Sequence, residues 1–205
     1  MDIKERLDEL GYCEVEGVQD ADMAKSLTAH LGPLRSLNGE VVQLIRPKDS
    51  SEATSKSFSH HFGHGAFPLH TDTAFWLKPV RYVIFQMSQV SATRSVVLPA
   101  DKTIRLFRSF KASNPVFSRK TTSGSCYSLP WRGADMDFVF FDPCLMRPVN
   151  DAAVQLSKEL KGAFDQAIPI EWTGNKALIV DNWRSLHGRG AADASGRTLT
   201  RFYRG

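Results

Sequence analysis

Phe67-Pro68-Leu69-His70-Thr71-Asp72 decides how this 205-residue chain is read. His70 and Asp72 stand two residues apart, and side chains at i and i+2 share a face only on extended backbone. The neighbours favour that conformation: Phe67, Leu69, Phe75 and Trp76 are strand formers, and Pro68 opposes a helix. Both side chains can then reach one metal ion. A third ligand is supplied downstream by His187, in Asp181-Asn182-Trp183-Arg184-Ser185-Leu186-His187-Gly188-Arg189. Two histidines and one carboxylate, grouped two-plus-one along a β-rich chain, form the sequence pattern of a facial metal triad.

Such a triad leaves three adjoining coordination positions free for co-substrate and O2, the arrangement of non-heme Fe(II) oxygenases. A co-substrate with a free carboxylate needs a cation nearby. Arg197 lies ten residues beyond His187, in Gly196-Arg197-Thr198-Leu199-Thr200-Arg201. Arg197 and Arg201 are four apart and share one face of a strand. A guanidinium holds a carboxylate through two parallel hydrogen bonds.

The order His70-Thr71-Asp72, Ala92-Thr93, Asp181-Asn182 through His187-Gly188-Arg189 and Arg197-x-x-x-Arg201 resembles the taurine dioxygenase/clavaminate synthase superfamily. The resemblance runs from about Gly11 to the C-terminus. It implies an Fe(II)- and 2-oxoglutarate-dependent dioxygenase that consumes O2 and releases succinate and CO2. It also implies a double-stranded β-helix, the jelly roll or cupin-like barrel. His70, Asp72 and His187 would bind iron, Arg197 and Thr93 would hold the distal carboxylate of 2-oxoglutarate, and Arg201 would face the primary substrate. The chain departs from the family pattern in two respects. Ser91-Ala92 stands where relatives show Gly-Gly before the threonine, and the chain is shorter than most members, which carry long insertions over the substrate. Hydroxylation of a small polar metabolite, such as an amino acid or a derivative, is the outcome this resemblance implies; desaturation and cyclisation belong to the same chemistry. Halogenation is disfavoured, because Asp72 fills the position that halogenases leave to chloride.

Length and ordinary apolar content describe one globular domain, residues 1–205. The charged start Met1-Asp2-Ile3-Lys4-Glu5-Arg6 is unlike a signal peptide, and no stretch is long enough to cross a bilayer. Cys13, Cys126 and Cys144 have no metal-type spacing and read as free thiols, consistent with a cytoplasmic, reducing location. The net charge is +4. Lys102, Arg105, Arg108 and Lys111 recur every three residues and predict a basic ridge, with Ile104, Phe107 and Phe110 turned inward. Arg119 and Lys120 extend the same acid-free stretch. The ridge is either a solvated face or a docking surface for an acidic partner. No nucleic-acid-binding motif accompanies it.

Two amphipathic helices are expected over about 3–32, the first stopped at Gly11 and the second at Gly32-Pro33. A barrel follows over about 41–205, interrupted by an insert over about 100–136 made of the basic helix and a polar loop from Ser113 to Asp135. Strands are expected at Val41–Ile45, Tyr82–Met87, Ser95–Leu98, Phe138–Phe141, Ile168–Trp172, Ala177–Val180 and Thr198–Tyr203. A helix after Asn150 carries Val154, Leu156, Leu160, Phe164 and Ile168 on or near one face. His187 and Arg197 are expected on adjacent antiparallel strands joined by the turn from Gly188 to Gly196.

Several residues keep two readings. Phe75 and Trp76 serve either as core or as substrate contacts; Arg201 serves either as a substrate ligand or in a structural ion pair. His60, His61 and His64 form a rival histidine cluster on a Gly-flanked loop, lining a pocket or exposed to solvent. Asn182 and Trp183 are placed to support the ligands, and Cys126 is read as inert. Two other functional classes remain: a cupin-like metalloprotein that isomerises or hydrolyses without O2, and a binding module without chemistry. An oxygenase acting on an anionic nucleotide- or carrier-linked substrate is a variant of the first reading.

Overall fold

The computed structural model describes residues 2–54, 57–192 and 197–205. In chain order these form α1 (Ile3–Leu10), β1 (Tyr12–Glu16), α2 (Ala21–Leu27), β2 (Leu34–Arg35), β3 (Val42–Ile45), α3 (Phe58–Phe62), β4 (Phe67–His70), β5 (Tyr82–Met87), β6 (Val90–Leu98) and α4 (Ala100–Ser109). There follow β7 (Phe117–Thr121), β8 (Gly124–Ser128), β9 (Trp131–Arg132), β10 (Phe138–Val139), β11 (Met146–Pro148), α5 (Asp151–Gly162), β12 (Ile168–Thr173), β13 (Lys176–Asp181), β14 (Leu186–Arg189) and β15 (Leu199–Arg204).

Two antiparallel sheets make the jelly roll. The larger runs β1-β13-β5-β15-β2, with β3 also paired to β15; the smaller runs β12-β6-β14-β4. Their facing sides meet in a core that includes Val83, Phe85, Met87, Leu178 and Val180 from one sheet and Val97, Ile170 and Trp172 from the other. Side chains alternate across a strand, so Tyr82, Ile84, Ala177 and Ile179 leave by the far side of the larger sheet. There they pack beneath Leu7, Ala24 and Leu31 of the N-terminal helical segment. The smaller sheet sends Val96, Leu98, Leu69 and Leu186 outward against Phe107, Trp131, Phe140, Leu156 and Leu160. Both faces of β5 and β13 are therefore covered, which explains why these strands are buried along their whole length.

The helix signals act as expected at both N-terminal elements. Gly11 ends α1 with φ +78°, the left-handed conformation favoured at a helix C-cap. Asp20 caps α2 by accepting from the Met23 amide at 2.8 Å.

Three expectations are corrected. The stretch from Ser113 to Asp135 is not a polar loop: it contains the hairpin β7–β8, which pairs with β11 in a separate three-stranded sheet. Short, Ser- and Thr-rich strands lack the apolar alternation that would have marked them. On α5 the buried residues are Ala153, Leu156 and Leu160, at i, i+3 and i+7, while Val154 is exposed; Val154 and Leu156 are two apart and diverge on a helix. Finally, β14 and β15 are not hydrogen-bonded neighbours. The first pairs with β4 and β6 and the second with β5, β3 and β2, so the chain crosses from one sheet to the other between His187 and Arg197. Residues 193–196 of the expected turn lie outside the described residues.

Candidate metal centre and its cavity

His70 ends β4, and its cross-strand partner in the antiparallel register is His187 on β14. Directly opposed residues bring their side chains together, and the two imidazole centroids lie 4.5 Å apart. Gly188 permits this approach: a Cβ there would stand 2.6 Å from the Phe67 carbonyl oxygen and 3.1 Å from Val96. Asp72 reaches the same point from just beyond β4. Its Oδ1 is 3.5 Å from His70 Nε2 and 3.8 Å from His187 Nε2. Ligand bonds of about 2.0–2.2 Å separate two ligand atoms of one ion by roughly 3–4 Å, so these spacings fit a shared ion. Among the described residues, His70, Asp72 and His187 are the one set of three acids, histidines or cysteines whose ligand atoms converge, all within 4.8 Å.

Electrostatics and hydrogen bonding suit the same use. The three side chains are buried, with residue exposures of 7%, 7% and 4%. His70 Nδ1 lies 2.9 Å from the Pro68 carbonyl oxygen; a proton donated there leaves Nε2 with its lone pair toward Asp72. Both nitrogens of His187 are buried without a hydrogen-bond partner, an unfavourable state that coordination of Nε2 would relieve on one side. Burial, and then the neighbouring His70, push His187 below the ordinary histidine range, which keeps it neutral. Burial alone would raise the Asp72 carboxyl. The Arg201 guanidinium and the two imidazoles override it and hold Asp72 well below the usual carboxylate range.

Asp72 is built into a network. Its outer oxygen, Oδ2, accepts from Arg201 Nη1 at 2.9 Å and from the Tyr203 hydroxyl at 3.2 Å, both on β15 of the facing sheet. Its backbone is clamped by Asn182, which accepts from the Asp72 N–H at 2.9 Å and donates to the Asp72 carbonyl at 3.0 Å and the Val80 carbonyl at 2.9 Å. Thr73 follows with φ +56°, a conformation that β-branched residues rarely adopt. Its hydroxyl is bonded to the Asp72 carbonyl and to the Val80 amide. The chain therefore turns sharply at the carboxylate ligand.

The triad opens into a cavity of about 880 Å³ between the sheets. Arg197 and Arg201 line it, as does Phe75. Arg197 donates through Nη1 to the Thr93 carbonyl at 2.7 Å; Thr93 touches the arginine but does not itself line the cavity. The structure separates the aromatic pair: Trp76 lines a second pocket, with Lys78, Arg81 and Trp183. Arg201 forms the ion pair with Asp72 and lines the cavity as well. His60, His61 and His64 do not line it; Phe58 of the same segment does, and its ring lies 4.2 Å from that of His70. That segment is anchored by Arg189, whose Nη2 donates to the carbonyls of Gly63 at 2.9 Å and Gly65 at 2.7 Å.

Lys102, Arg105, Arg108 and Lys111 are exposed on and just after α4, and none lines the cavity. Arg119 departs from the expected basic stretch. It is fully buried, donates to the Ala74 carbonyl at 3.1 Å and sits over the Phe140 ring. Lys120 is exposed and lines the cavity.

Sequence reasoning missed Tyr203, Asp142 and Arg189. Tyr203 lies at i+2 from Arg201, so strand periodicity alone would have placed it on the same face. Asp142 sits before a proline after an apolar run, which reads as a turn. Arg189 lies at i+2 from His187 on β14, within the same motif, but nothing in the sequence gives it a role.

Solved structures share this fold. An asparagine oxygenase in complex with Fe(II), (2S,3S)-3-hydroxyasparagine and succinate superposes with a TM-score of 0.67 and 18% identity over 88% of this chain. PvcB from Pseudomonas aeruginosa does so with 0.70 and 15% over 98%. OrfP, a non-heme iron oxygenase in complex with Fe, succinate and (3S)-hydroxy-L-Arg, gives 0.69 and 18% over 98%. The chain spans 63% of the length of the asparagine oxygenase, 77% of PvcB and 76% of OrfP. Its fold is therefore that of the non-heme iron, 2-oxoglutarate-dependent oxygenases. No protein-family model and no curated protein matches the sequence.

Proposed function

We propose that this protein is an Fe(II)- and 2-oxoglutarate-dependent dioxygenase that hydroxylates a small polar metabolite, in the class of amino acids and their derivatives. The observation that carries the reading is the convergence of His70, Asp72 and His187 in a cavity that also exposes Arg197, inside a fold shared with iron oxygenases. Two proteins of this fold, an asparagine oxygenase bound to 3-hydroxyasparagine and the iron oxygenase OrfP bound to (3S)-hydroxy-L-Arg, support an amino-acid substrate.

In this reading His70 Nε2, Asp72 Oδ1 and His187 Nε2 hold Fe(II), and the bound iron with 2-oxoglutarate supplies oxidising power derived from O2. The protein positions and shields. Arg197 receives the distal carboxylate of 2-oxoglutarate as a guanidinium fork, and Thr93 contributes by fixing that arginine through its carbonyl. Arg201 and Tyr203 keep Asp72 ionised and oriented. Phe58, Phe75 and Phe85 exclude water from the cavity wall. The free thiols Cys13, Cys126 and Cys144 and a ferrous centre are compatible with a reducing, cytoplasmic setting.

Anaerobic addition of Fe(II) and 2-oxoglutarate should produce the weak visible charge-transfer band of the chelate, with succinate formed on admitting O2. His187→Ala should abolish the band. A wild-type protein without it, or a variant that keeps it, would remove the basis of the assignment.

A further inference from the structure

The cavity contains a second carboxylate, outside the metal set. Asp142 follows β10, and its segment is bonded twice to Thr71, the residue between His70 and Asp72. The Thr71 amide donates to the Phe141 carbonyl at 2.7 Å, and the Phe141 amide donates to Thr71 Oγ1 at 3.2 Å. Asp142 is thereby fixed in register with the metal ligands. It is 93% buried, being 7% exposed, and it lines the cavity.

Its partners leave it incomplete. Oδ1 accepts from the amides of Cys144 at 2.7 Å and Leu145 at 3.2 Å. Those bonds orient the side chain without balancing its charge. Among the described residues no lysine, arginine or histidine stands within ion-pair distance of Asp142. Cations are not scarce in this cavity: Lys120, Arg189, Arg197 and Arg201 all line it. Asp72, the other carboxylate of the lining, has Arg201 at 2.9 Å. A buried carboxylate with no counter-charge is unfavourable, and burial raises the Asp142 carboxyl above its ordinary range; a bound cation at its free face would restore the charged form.

We propose that Asp142 is the recognition site for a cationic nitrogen of the primary substrate, a protonated amine or guanidinium, and that it directs the carbons next to that nitrogen toward the triad. This rests on the oxygenase reading above for its consequence, but not for the binding itself. The cation has two chemical sources, the α-ammonium of an amino acid or a basic side chain.

Calorimetric titration of the metal-free protein at millimolar ligand separates them. The probes are L-lysine, L-arginine, Nα-acetyl-L-lysine, Nε-acetyl-L-lysine and L-norleucine. Recognition of a side-chain cation predicts that lysine or arginine and Nα-acetyl-lysine bind roughly 10–100-fold more tightly than Nε-acetyl-lysine and norleucine. Recognition of the α-ammonium predicts instead that Nα-acetyl-lysine alone is weak. In either case Asp142→Asn should erase the preference; asparagine keeps an acceptor for the Cys144 and Leu145 amides, and an unchanged melting curve would show that the variant folds. Equal binding across the panel, no binding by any of these amines, or a preference that survives in Asp142→Asn overturns the proposal. The charge-transfer band, recorded separately on wild type, keeps the two readings apart. A missing band with an intact amine preference removes the oxygenase and leaves the cation site standing.

Discussion

Arg201 donates to Asp72 on Oδ2, the oxygen turned away from the two histidines, while Oδ1 alone faces them. This division lets one carboxylate be both a metal ligand and half of an ion pair. It also makes the ligand's orientation depend on a residue of the opposite sheet. Arg201→Met would leave a buried carboxylate uncompensated. Loss of a partner from a fully buried pair costs about 3–5 kcal/mol; Arg201 keeps some solvent exposure, with 22% of its side chain accessible, so about 2–3 kcal/mol is expected for the metal-free protein. Metal affinity should fall roughly 10-fold, because the carboxylate loses its orienting partner. Denaturant melts with and without Co(II) check both. Because the variant binds metal more weakly, Co(II) should raise its stability less than the wild type's, by up to about 1.4 kcal/mol for a 10-fold loss of affinity.

The depressed His187 gives a pH signature. An unfolded histidine takes up its proton near pH 6.5, whereas folded His187 resists protonation to lower pH. Between those values the unfolded state binds more protons, so stability falls as pH drops. Metal-free wild type should therefore lose melting temperature as pH is lowered below about 6.5, and His187→Gln should show a shallower decline. Parallel curves for the two proteins would contradict the assignment of this slope to His187.

Much of this architecture was legible because its strands carry strong signals. Tyr82–Met87 and Ala177–Val180 are mostly apolar runs too short for typical helices, and their burial on both faces is what such runs imply. His70 and Asp72 could be paired from the chain alone since strand alternation is local, and His187 followed from a motif order. The hairpin β7–β8 was illegible because its Ser- and Thr-containing strands lack apolar alternation and its pairing with β11 is decided far along the sequence. The fate of Arg119 was hidden for a related reason. An arginine in a basic stretch reads as solvent-exposed, and only the path of β7 turns it inward onto Phe140. Asp142 was lost to turn chemistry, since Asp-Pro describes its backbone accurately while saying nothing about the cavity beside it.

Asn182 offers a test of how the turn at Asp72 is held. Its amide satisfies three backbone groups, the N–H and C=O of Asp72 and the C=O of Val80, and it is completely buried. Asn182→Ala would leave the Asp72 N–H and the Val80 C=O without these partners, while the Asp72 C=O keeps the Thr73 hydroxyl. Each unsatisfied buried group costs about 1–3 kcal/mol before relaxation, so a loss of roughly 3 kcal/mol is expected in chemical denaturation. Metal affinity should weaken as well, because Thr73 holds its left-handed conformation beside the same contacts. A variant with wild-type stability and wild-type Co(II) affinity would show that the turn is maintained by Thr73 alone.

Arg197 distinguishes binding of co-substrate from binding of metal. It lines the cavity with the triad but is not within it, and its Nη1 is fixed by the Thr93 carbonyl at 2.7 Å. A guanidinium carries five N–H donors in a planar fork whose geometry matches a carboxylate. Arg197→Gln removes the charge-assisted pair, each such bond being worth about 1.5–3 kcal/mol. The 2-oxoglutarate concentration that half-saturates the charge-transfer band should then rise by roughly 30-fold or more, while Fe(II) affinity measured without 2-oxoglutarate stays at the wild-type value. Arg197→Lys should recover only part of the loss, since an ammonium cannot reproduce the planar fork. If iron affinity fell in parallel with 2-oxoglutarate affinity, Arg197 would be supporting the triad's geometry and the co-substrate's carboxylate would have to be sought elsewhere in the cavity.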